Sequence, residues 1–475
     1  MNARLLYTTL ITLVCFGVCT YAHGETVAPP LKAGFGVKNI VPQQPAFHMS
    51  GYFSERINTG VHDPLQAKAI VLEQGDVRTA LVFCDLIGVI RDVTTPARER
   101  IAEVSDIPVS HSAIAATHTH TGPLYYGVWQ RYYEEKHGSE QDTDVEAYKE
   151  YLVEQIADAV AEAVAALTPV KLRHGFACEE TLAFNRRFYM RDGIVRFNPG
   201  RLNPNAVKAA GPIDPDVGLV AFYGTDAETP HALFTAFSLH LDTVGGAEFS
   251  ADYPYHLEQR LRGDFGDTFL SVFGLGPCGD VNHVDTSQRL SQKGQEEAER
   301  IGTTLAETIL ARLPELETHH APSLAMAQTI MDAPLQEYTA ADLAWAEEQL
   351  QFMQDGDIPF LERVRARRII DLSMRTGGGT VPIEAQALRL CDDAAIVFLP
   401  GEVFVELGLS IKESSPFAHT MVVELTNDNP AYIPTAKAFA EGSYEVENSR
   451  IAPGVGEQMA EAARALLYEL KFDGE

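Results

Sequence analysis

Apolar runs and amphipathic stretches alternate along the chain, a pattern that indicates strands mixed with helices. Apolar runs predict strands at 67–72, 79–85, 112–116, 170–176, 182–189, 216–223, 232–240, 269–273, 381–390, 394–399 and 420–426. Apolar residues at helical spacing predict helices at 91–104, 144–167, 289–313, 403–412 and 455–470. Since strands and helices are interspersed, we expect an α/β (mixed α+β) fold class in one large domain.

Two stretches depart from this alternation. Charged amphipathic residues at 339–355 and 359–371 predict a helical hairpin, inserted between sheet elements at about 335–372. Residues 124–142 are rich in tyrosine and polar side chains, which indicates a loop or lid lining a pocket. The alternative for this stretch is aromatic packing on the core or the surface.

The N-terminus has the three parts of a secretory signal. A charged start at 1–4 precedes an apolar run at 5–18 and the small-residue site Thr20-Tyr21-Ala22. We therefore expect a signal peptide at 1–22, a secreted or periplasmic protein, and no integral membrane segment after signal cleavage. An uncleaved anchor is the alternative.

Charge and cysteine usage narrow the function classes. The formal net charge is −29, which argues against nucleic acid and anionic membrane surfaces as partners. After the signal, four cysteines remain without a C-x-x-C pair, so a cysteine zinc site is not expected; they are Cys84, Cys178, Cys278 and Cys391. Their apolar surroundings favour buried free thiols, with one or two disulfides as the alternative. The sequence makes no prediction of the oligomeric state.

The clearest candidate for chemistry is the stretch ATHTHTGP at 116–123. It follows the apolar run 112–116 and ends in a Gly-Pro turn, so we expect His118 and His120 at the end of a strand, pointing to the same face because side chains alternate along a strand. They are either satisfied strand-end histidines or zinc ligands. His240, Glu402 and Tyr432 also follow apolar runs, and imidazoles with one carboxylate are a common catalytic zinc set.

A series of short motifs resembles, in order, the N-terminal catalytic domain of the neutral, non-lysosomal ceramidases. These motifs are AGFGV at 33–37, GVHDPLQAKA at 60–69, ATHTHTGP, Asn185-Arg186, FSLH at 237–240 followed by SADYP, CGDV at 278–281, Pro400-Gly401-Glu402 and NDNPAYIPT at 427–435. Together they span almost the whole chain after the signal. The resemblance implies one catalytic domain at 23–475, with apolar strands carrying site residues at their ends.

The resemblance also implies the roles of individual residues. A single Zn2+ is expected on four ligands: His118, His240, Glu402 and Tyr432. His120 and Arg186 would face the scissile group, and Tyr444 would steady the tetrahedral intermediate. The implied activity is a zinc-dependent amidase of sphingolipid metabolism, cleaving an amide (N-acyl) bond of a small-molecule or lipid-like substrate such as ceramide.

The chain departs from the family pattern at two places. A serine follows Gly-Asp-Val in the family, whereas Asn282 occupies that position here, and an amide cannot form an acyl-enzyme. Zinc-activated water is therefore expected to attack directly, with Asn282 or His283 positioning the substrate. The chain also ends at Glu475, so we expect no C-terminal immunoglobulin-like domain. Alternatives are a non-catalytic zinc-binding protein, or a hydrolase of esters, lactones or sugar derivatives.

Overall fold

The computed structural model describes residues 29–128, 130–131, 145–319, 322–350, 358–375 and 379–472. The predicted signal peptide at 1–22 lies outside these ranges, as does most of the aromatic stretch at 124–142. Strands and helices alternate throughout the described residues, so the mixed α/β fold class is confirmed. Among the described helices, none is long and apolar enough to cross a membrane.

The largest element is a nine-stranded sheet. From one edge to the other, its strands are Leu270–Leu275, Ala232–Phe237, Asp216–Gly224, Thr168–Cys178, Lys32–Asn39, Gln66–Gln74, Val77–Cys84 and Ser112–Ala116, with Glu317–His319 added beside Thr168–Cys178. The outermost pair at each edge is parallel, and the other pairs are antiparallel. The strand preceding the His-x-His motif and the strand preceding His240 therefore belong to opposite ends of the sheet.

The two ends of this sheet nevertheless meet, because the sheet curls. A Cβ atom on Gly274 would lie 3.1 Å from the Phe83 ring, which shows how closely the edge strands approach. The segment 424–427 then links the edges through backbone hydrogen bonds. Glu424 N donates to Leu275 O at 2.8 Å, and Ala116 N donates to Leu425 O at 3.1 Å. Curling brings the carboxyl ends of the two edge strands to one place.

A second sheet of four strands packs against the first. Its strands, in order, are Pro322–Pro334, Thr380–Cys391, Ala394–Phe398 and His419–Val423. One apolar cluster joins side chains of both sheets, including Phe83, Phe234, Leu388, Ile396 and Met421. The two sheets thus form the central layers of the molecule, as expected when each buries its apolar face.

Helices cover the outer face of each sheet. Those packed on the large sheet are Arg91–Ser105, Val145–Ala165, Tyr253–Phe265 and Gln295–Arg312. Those packed on the second sheet are Val405–Glu413 and Val455–Phe472. The result is a four-layer α/β/β/α arrangement. The predicted hairpin is present as Ala340–Leu350 and Phe360–Met374, although residues 351–357 lie outside the described ranges.

Several predicted boundaries are wrong for identifiable reasons. The strand expected at 182–189 is divided into Phe184–Asn185, which pairs with Val281–Asn282, and Arg187–Met190, which pairs with Val195–Phe197 and Ala206–Ala209, because the chain changes partners at Arg186. The strand expected at 420–426 ends at Val423, where the backbone begins to link the sheet edges. The helix expected from 289 begins at Gln295. All four remaining cysteines are free thiols, but Cys178 is exposed rather than buried.

Candidate metal centre

The histidines of the His-x-His motif lie in a loop, not on the strand. Ser112–Ala116 ends two residues before His118, whose φ of 76° excludes extended backbone. The expectation that strand alternation aligns the two imidazoles is therefore wrong. The loop is held instead by backbone hydrogen bonds, from His118 N to Leu86 O at 2.9 Å and from His120 N to Leu241 O at 3.1 Å. The second bond ties the motif directly to the neighbour of His240.

Close packing also holds the loop from outside. Gly51 adopts a φ of 101°, and a Cβ atom there would lie 2.5 Å from the Cα atom of His120. Only glycine permits this approach. The Arg56 guanidinium donates to His120 O at 2.8 Å from the same side. The loop that carries both histidines is therefore fixed by contacts far from it in sequence.

Three imidazoles converge on one point. His118 Nε2 lies 3.0 Å from His240 Nε2 and 3.3 Å from His120 Nε2. His118 Nδ1 lies 2.5 Å from Ile87 O, and a carbonyl can only accept, so this nitrogen carries the proton and Nε2 offers a lone pair. Three imidazole nitrogens at this separation, with the lone pair of His118 Nε2 directed toward the other two, fit a metal ion between them. The cluster of His118, His120 and His240 can therefore hold a metal ion.

Glu402 and Tyr432, the other two predicted ligands, lie together beside the imidazole cluster. They are direct partners in a two-residue parallel bridge, in which Glu402–Val403 pairs with Tyr432–Ile433. Glu402 Oε2 lies 3.5 Å from His118 Nε2, and no described residue satisfies it with a hydrogen bond although it is buried. A buried carboxylate oxygen without a partner, beside imidazole lone pairs, fits Zn2+ well.

Burial keeps the imidazoles of His120 and His240 neutral. It lowers the pKa of His120 to about 3, and the neighbouring His118 adds to this effect. It also lowers the pKa of His240 well below its ordinary value. Burial opposes the ionisation of Glu402, but the nearby His118 still brings the pKa of the carboxyl below its ordinary value. Neutral imidazoles and an ionised carboxylate are the forms that bind a metal ion.

Arg186 lies behind Tyr432 and is buried. Its guanidinium donates to Gly279 O at 2.8 Å, to the Tyr432 hydroxyl at 3.1 Å and to Glu445 Oε1 at 2.9 Å. These bonds are all to protein groups. Burial opposes the charge of Arg186, but Tyr432, Glu445 and other neighbours raise its pKa well above the ordinary value. The structure thus places Arg186 as a support for the Tyr432 phenol.

Tyr444 stands beside the metal centre within an aromatic group. Its ring stacks on Phe197 at 4.6 Å and on Phe360 at 5.6 Å, and its centroid lies 5.5 Å from that of Tyr432. Asn448 Nδ2 donates to its hydroxyl at 3.2 Å. Because Phe360 begins the second helix of the hairpin, the insertion helps to orient this phenol.

The candidate ligands open onto a cleft of about 990 Å³. His118, His120, Glu402, Tyr432 and Tyr444 line it. Further described lining comes from the loop at 49–54, the start of the helix Arg91–Ser105, the end of Phe360–Met374 and residues 428–431, and also from 124–131, the start of Val145–Ala165, residues 380–382, Asn448 and Arg450. The described part of the predicted aromatic stretch at 124–142 therefore lines the cleft. Many of these side chains are charged, so the cleft is polar rather than a long apolar slot.

Solved structures share this architecture. Neutral ceramidase from Pseudomonas aeruginosa matches with a TM-score of 0.69 at 18% sequence identity, over 93% of this chain and 75% of that one. A ceramidase complexed with C2 matches with a TM-score of 0.69 at 17% identity, over 93% and 76%. The chain has the neutral ceramidase fold. No protein-family model and no curated protein matches it.

Within this neutral ceramidase fold, the Asn282 side chain is engaged by neighbouring loop residues. It is buried, its Nδ2 donates to Asn198 Oδ1 at 3.2 Å, and its Oδ1 accepts from Val284 N at 3.1 Å. It does not line the cleft as far as the structure describes it. His283 is likewise engaged, with Nδ1 lying 3.0 Å from Asp242 Oδ1 and Nε2 lying 2.6 Å from Gln292 O. Both side chains hold the surrounding loops together.

Behind His240 lies a buried chain of contacts through Cys278 to Glu424, which the sequence does not predict and which we call the relay. His240 Nδ1 lies 3.8 Å from Cys278 Sγ, which in turn donates to Glu424 Oε1 at 3.2 Å. Burial raises the pKa of Glu424 well above its ordinary value, so this carboxyl is neutral. Glu424 directly follows an apolar strand, the same signal that identified His240 and Glu402. Such residues orient metal ligands without contacting the ion.

Proposed function

We propose that this protein is a Zn2+-dependent hydrolase that cleaves an amide (N-acyl) bond. The single observation that carries the proposal is the convergence of three imidazole Nε2 atoms beside the unpartnered, buried oxygen of Glu402. The neutral ceramidase fold supports the same reaction class. Ceramide is one candidate substrate, and the signal-like N-terminus supports secretion or export to the periplasm.

The ligands proposed for the ion are His118, His240, Glu402 and Tyr432. A bound Zn2+ supplies Lewis acidity toward the carbonyl oxygen and lowers the pKa of water. These ligands come from segments anchored to both sheets, so the fold fixes the position of the ion. The substrate carbonyl can react only where it reaches that position. Arg186 holds the Tyr432 hydroxyl in place through its hydrogen bond.

His120 is proposed to contact the substrate. Its Nε2 lies within the imidazole cluster, while its Nδ1 is buried and finds no hydrogen-bond partner among the described residues. A neutral imidazole offers one donor and one acceptor, so it can take a proton from the attacking water and then deliver a proton to the leaving nitrogen, which returns the ring to its neutral form. Its position is equally compatible with a third imidazole ligand.

Tyr444 is proposed to stabilise the oxygen that gains charge as the carbonyl is attacked. Its phenol borders the cleft, and burial raises its pKa above the ordinary value, so the hydroxyl keeps its proton for donation. Asn282 has no nucleophilic atom and its amide is already hydrogen-bonded. We therefore propose that water attacks the carbonyl carbon without an acyl-enzyme.

Metal content and turnover test the proposal together. Mass spectrometry would measure zinc in the purified protein, and chromatography would measure cleavage of short-chain ceramide and other N-acyl amides. His240→Ala should lose zinc and activity, whereas His256→Ala should keep both, because His256 lies on the helix Tyr253–Phe265 outside the cleft lining. A wild-type protein without metal, or a His240→Ala variant with full zinc and full activity, would contradict the proposal. Tight zinc without turnover on any amide or ester would favour the non-catalytic alternative.

A further inference from the structure

A small three-stranded sheet beside the metal centre has one side toward the site and one side toward solvent. Its strands are Arg187–Met190, Val195–Phe197 and Ala206–Ala209. The Phe197 ring stacks on Tyr444 at 4.6 Å. Because side chains alternate along a strand, the neighbouring Arg196 points the other way, and it is exposed.

Two loops extend the solvent-facing side of this sheet. One, at 198–205, joins the second strand to the third. The other, which precedes the helix Gln295–Arg312, lies against it, because Leu202 N donates to Thr286 O at 2.7 Å. We define the basic surface as residues 191–210 and 284–293.

Cations outnumber carboxylates on the basic surface by six to two. The carboxylates are Asp192 and Asp285. Arg196 lies 2.7 Å from Asp192 and is the only one of the six cations that forms an ion pair with a described residue. The Arg201 guanidinium donates to Leu290 O, a bond that does not neutralise its charge. All six cations are exposed; they are Arg191, Arg196, Arg201, Lys208, Arg289 and Lys293.

Large apolar side chains are exposed among these cations. Leu290 is 78% exposed and Val207 is 60% exposed, while Ile194 and Leu202 are about half exposed. Met190 lies between Ile194 and Val207, since its N donates to Ile194 O at 2.9 Å and it pairs with the residue before Val207. Exposed apolar side chains grouped together and rimmed by charge mark an interaction surface.

This combination of side chains fits an anionic lipid surface. Cations are attracted to the lipid headgroups, and apolar side chains can enter the boundary between headgroups and acyl chains. A soluble polyanion would use the cations but would leave the apolar side chains in water. The net charge of −29 argues against such a lipid surface for the chain as a whole. However, salt screens charges farther away than about 8 Å, so the charge that faces the membrane decides, and on the basic surface it is positive.

We propose that the basic surface docks the protein onto a membrane that contains anionic phospholipids. This inference goes beyond the proposed hydrolase, because docking requires neither a metal ion nor turnover. It also places the candidate site close to the lipid: Tyr444 alone separates the Phe197 ring from Tyr432. A protein docked in this way would have its metal centre behind the small sheet that contacts the membrane.

Vesicle sedimentation tests the docking surface. The mature protein, without the predicted signal at 1–22, is mixed with vesicles of phosphatidylcholine, either pure or containing phosphatidylglycerol. We expect binding only when phosphatidylglycerol is present. Combining Arg191→Gln, Lys208→Gln and Arg289→Gln should weaken this binding about 100-fold, since each cation near an anionic surface contributes about fivefold. Leu290→Gln should weaken it about 10-fold through loss of apolar burial.

A matched control separates local charge from total charge. Arg100→Gln, Arg260→Gln and Arg464→Gln combined change the net charge by the same amount, but each arginine pairs with a carboxylate on its own helix. This control should bind like the wild type. Equal binding to both kinds of vesicle, or an equal loss in the control, would overturn the proposal. Tight binding to dextran sulfate, with vesicle binding unaltered by Leu290→Gln, would reject lipid in favour of a soluble polyanion. Because no substrate is present, the result does not depend on hydrolysis.

Discussion

The metal centre and the hairpin helix Phe360–Met374 face the same cleft but are built differently. The ligands lie in loops anchored to both sheets, where His118 N, His120 N and Glu402 N each donate a backbone hydrogen bond. The helix Phe360–Met374 belongs to an inserted hairpin and has an exposed face. The candidate metal ligands are thus placed on the packed core, while the charged residues of this helix lie on an insertion that can change without disturbing that core.

The largest effect should follow loss of the buried carboxylate at the metal centre. Glu402→Gln removes the charge that complements a divalent cation, and we expect activity to fall about 1000-fold with loss of bound zinc. Glu406→Gln, on the adjacent helix Val405–Glu413, should keep metal and activity. Zinc analysis and single-substrate kinetics measure both. Full zinc in Glu402→Gln would remove this residue from the ligand set.

Tyr444 should affect turnover without affecting the metal. Tyr444→Phe retains the stacking on Phe197 but loses the hydroxyl, so kcat should fall about 100-fold while zinc content is unchanged. Tyr151→Phe removes a hydroxyl bonded to Asn39 O and serves as the control. Unaltered kcat in Tyr444→Phe would mean that the phenol does not act on the developing oxyanion.

The relay behind His240 should have a smaller effect, on metal affinity. Cys278→Ala removes the thiol between His240 and Glu424, and we expect the Kd for Zn2+ to rise about 10-fold. Cys84→Ala, a buried thiol outside the cleft lining, is the matched control. Competition with a zinc chelator of known affinity measures the change. An equal shift in both variants would indicate general loosening of the core.

The ion pairs of Asp371 with Arg375 and Arg450 should stabilise the fold. The pKa of Asp371 is about 2 in the folded protein and 3.8 in the unfolded chain, so ionised Asp371 stabilises the fold above about pH 4. Asp371→Asn should lower the free energy of unfolding at pH 7 by about 2 kcal/mol. This difference should shrink as the pH falls from 4 toward 2. Denaturant unfolding at pH 7 and pH 3 measures it, and a difference independent of pH would contradict the ion-pair account.

Local patterns account for the parts of the site that were predicted. His118, His240 and Glu402 were identified because each polar side chain follows an apolar run, and all three meet in the structure. The hairpin was identified from helical spacing of its charged residues. Arg367 escaped notice because a charged residue on an amphipathic helix ordinarily faces solvent, and only the contact with the cleft distinguishes it from Arg365.

The sequence by itself determined the helices and strands, since apolar periodicity depends only on neighbouring residues and can be recognised without knowledge of the fold. Only the tertiary structure decided which residues meet at the candidate metal centre. His118 and His240 follow strands at opposite ends of the large sheet, and they meet only because the sheet curls and the segment 424–427 links its edges. Curling depends on packing between two sheets and on backbone hydrogen bonds between distant segments, which no local pattern records.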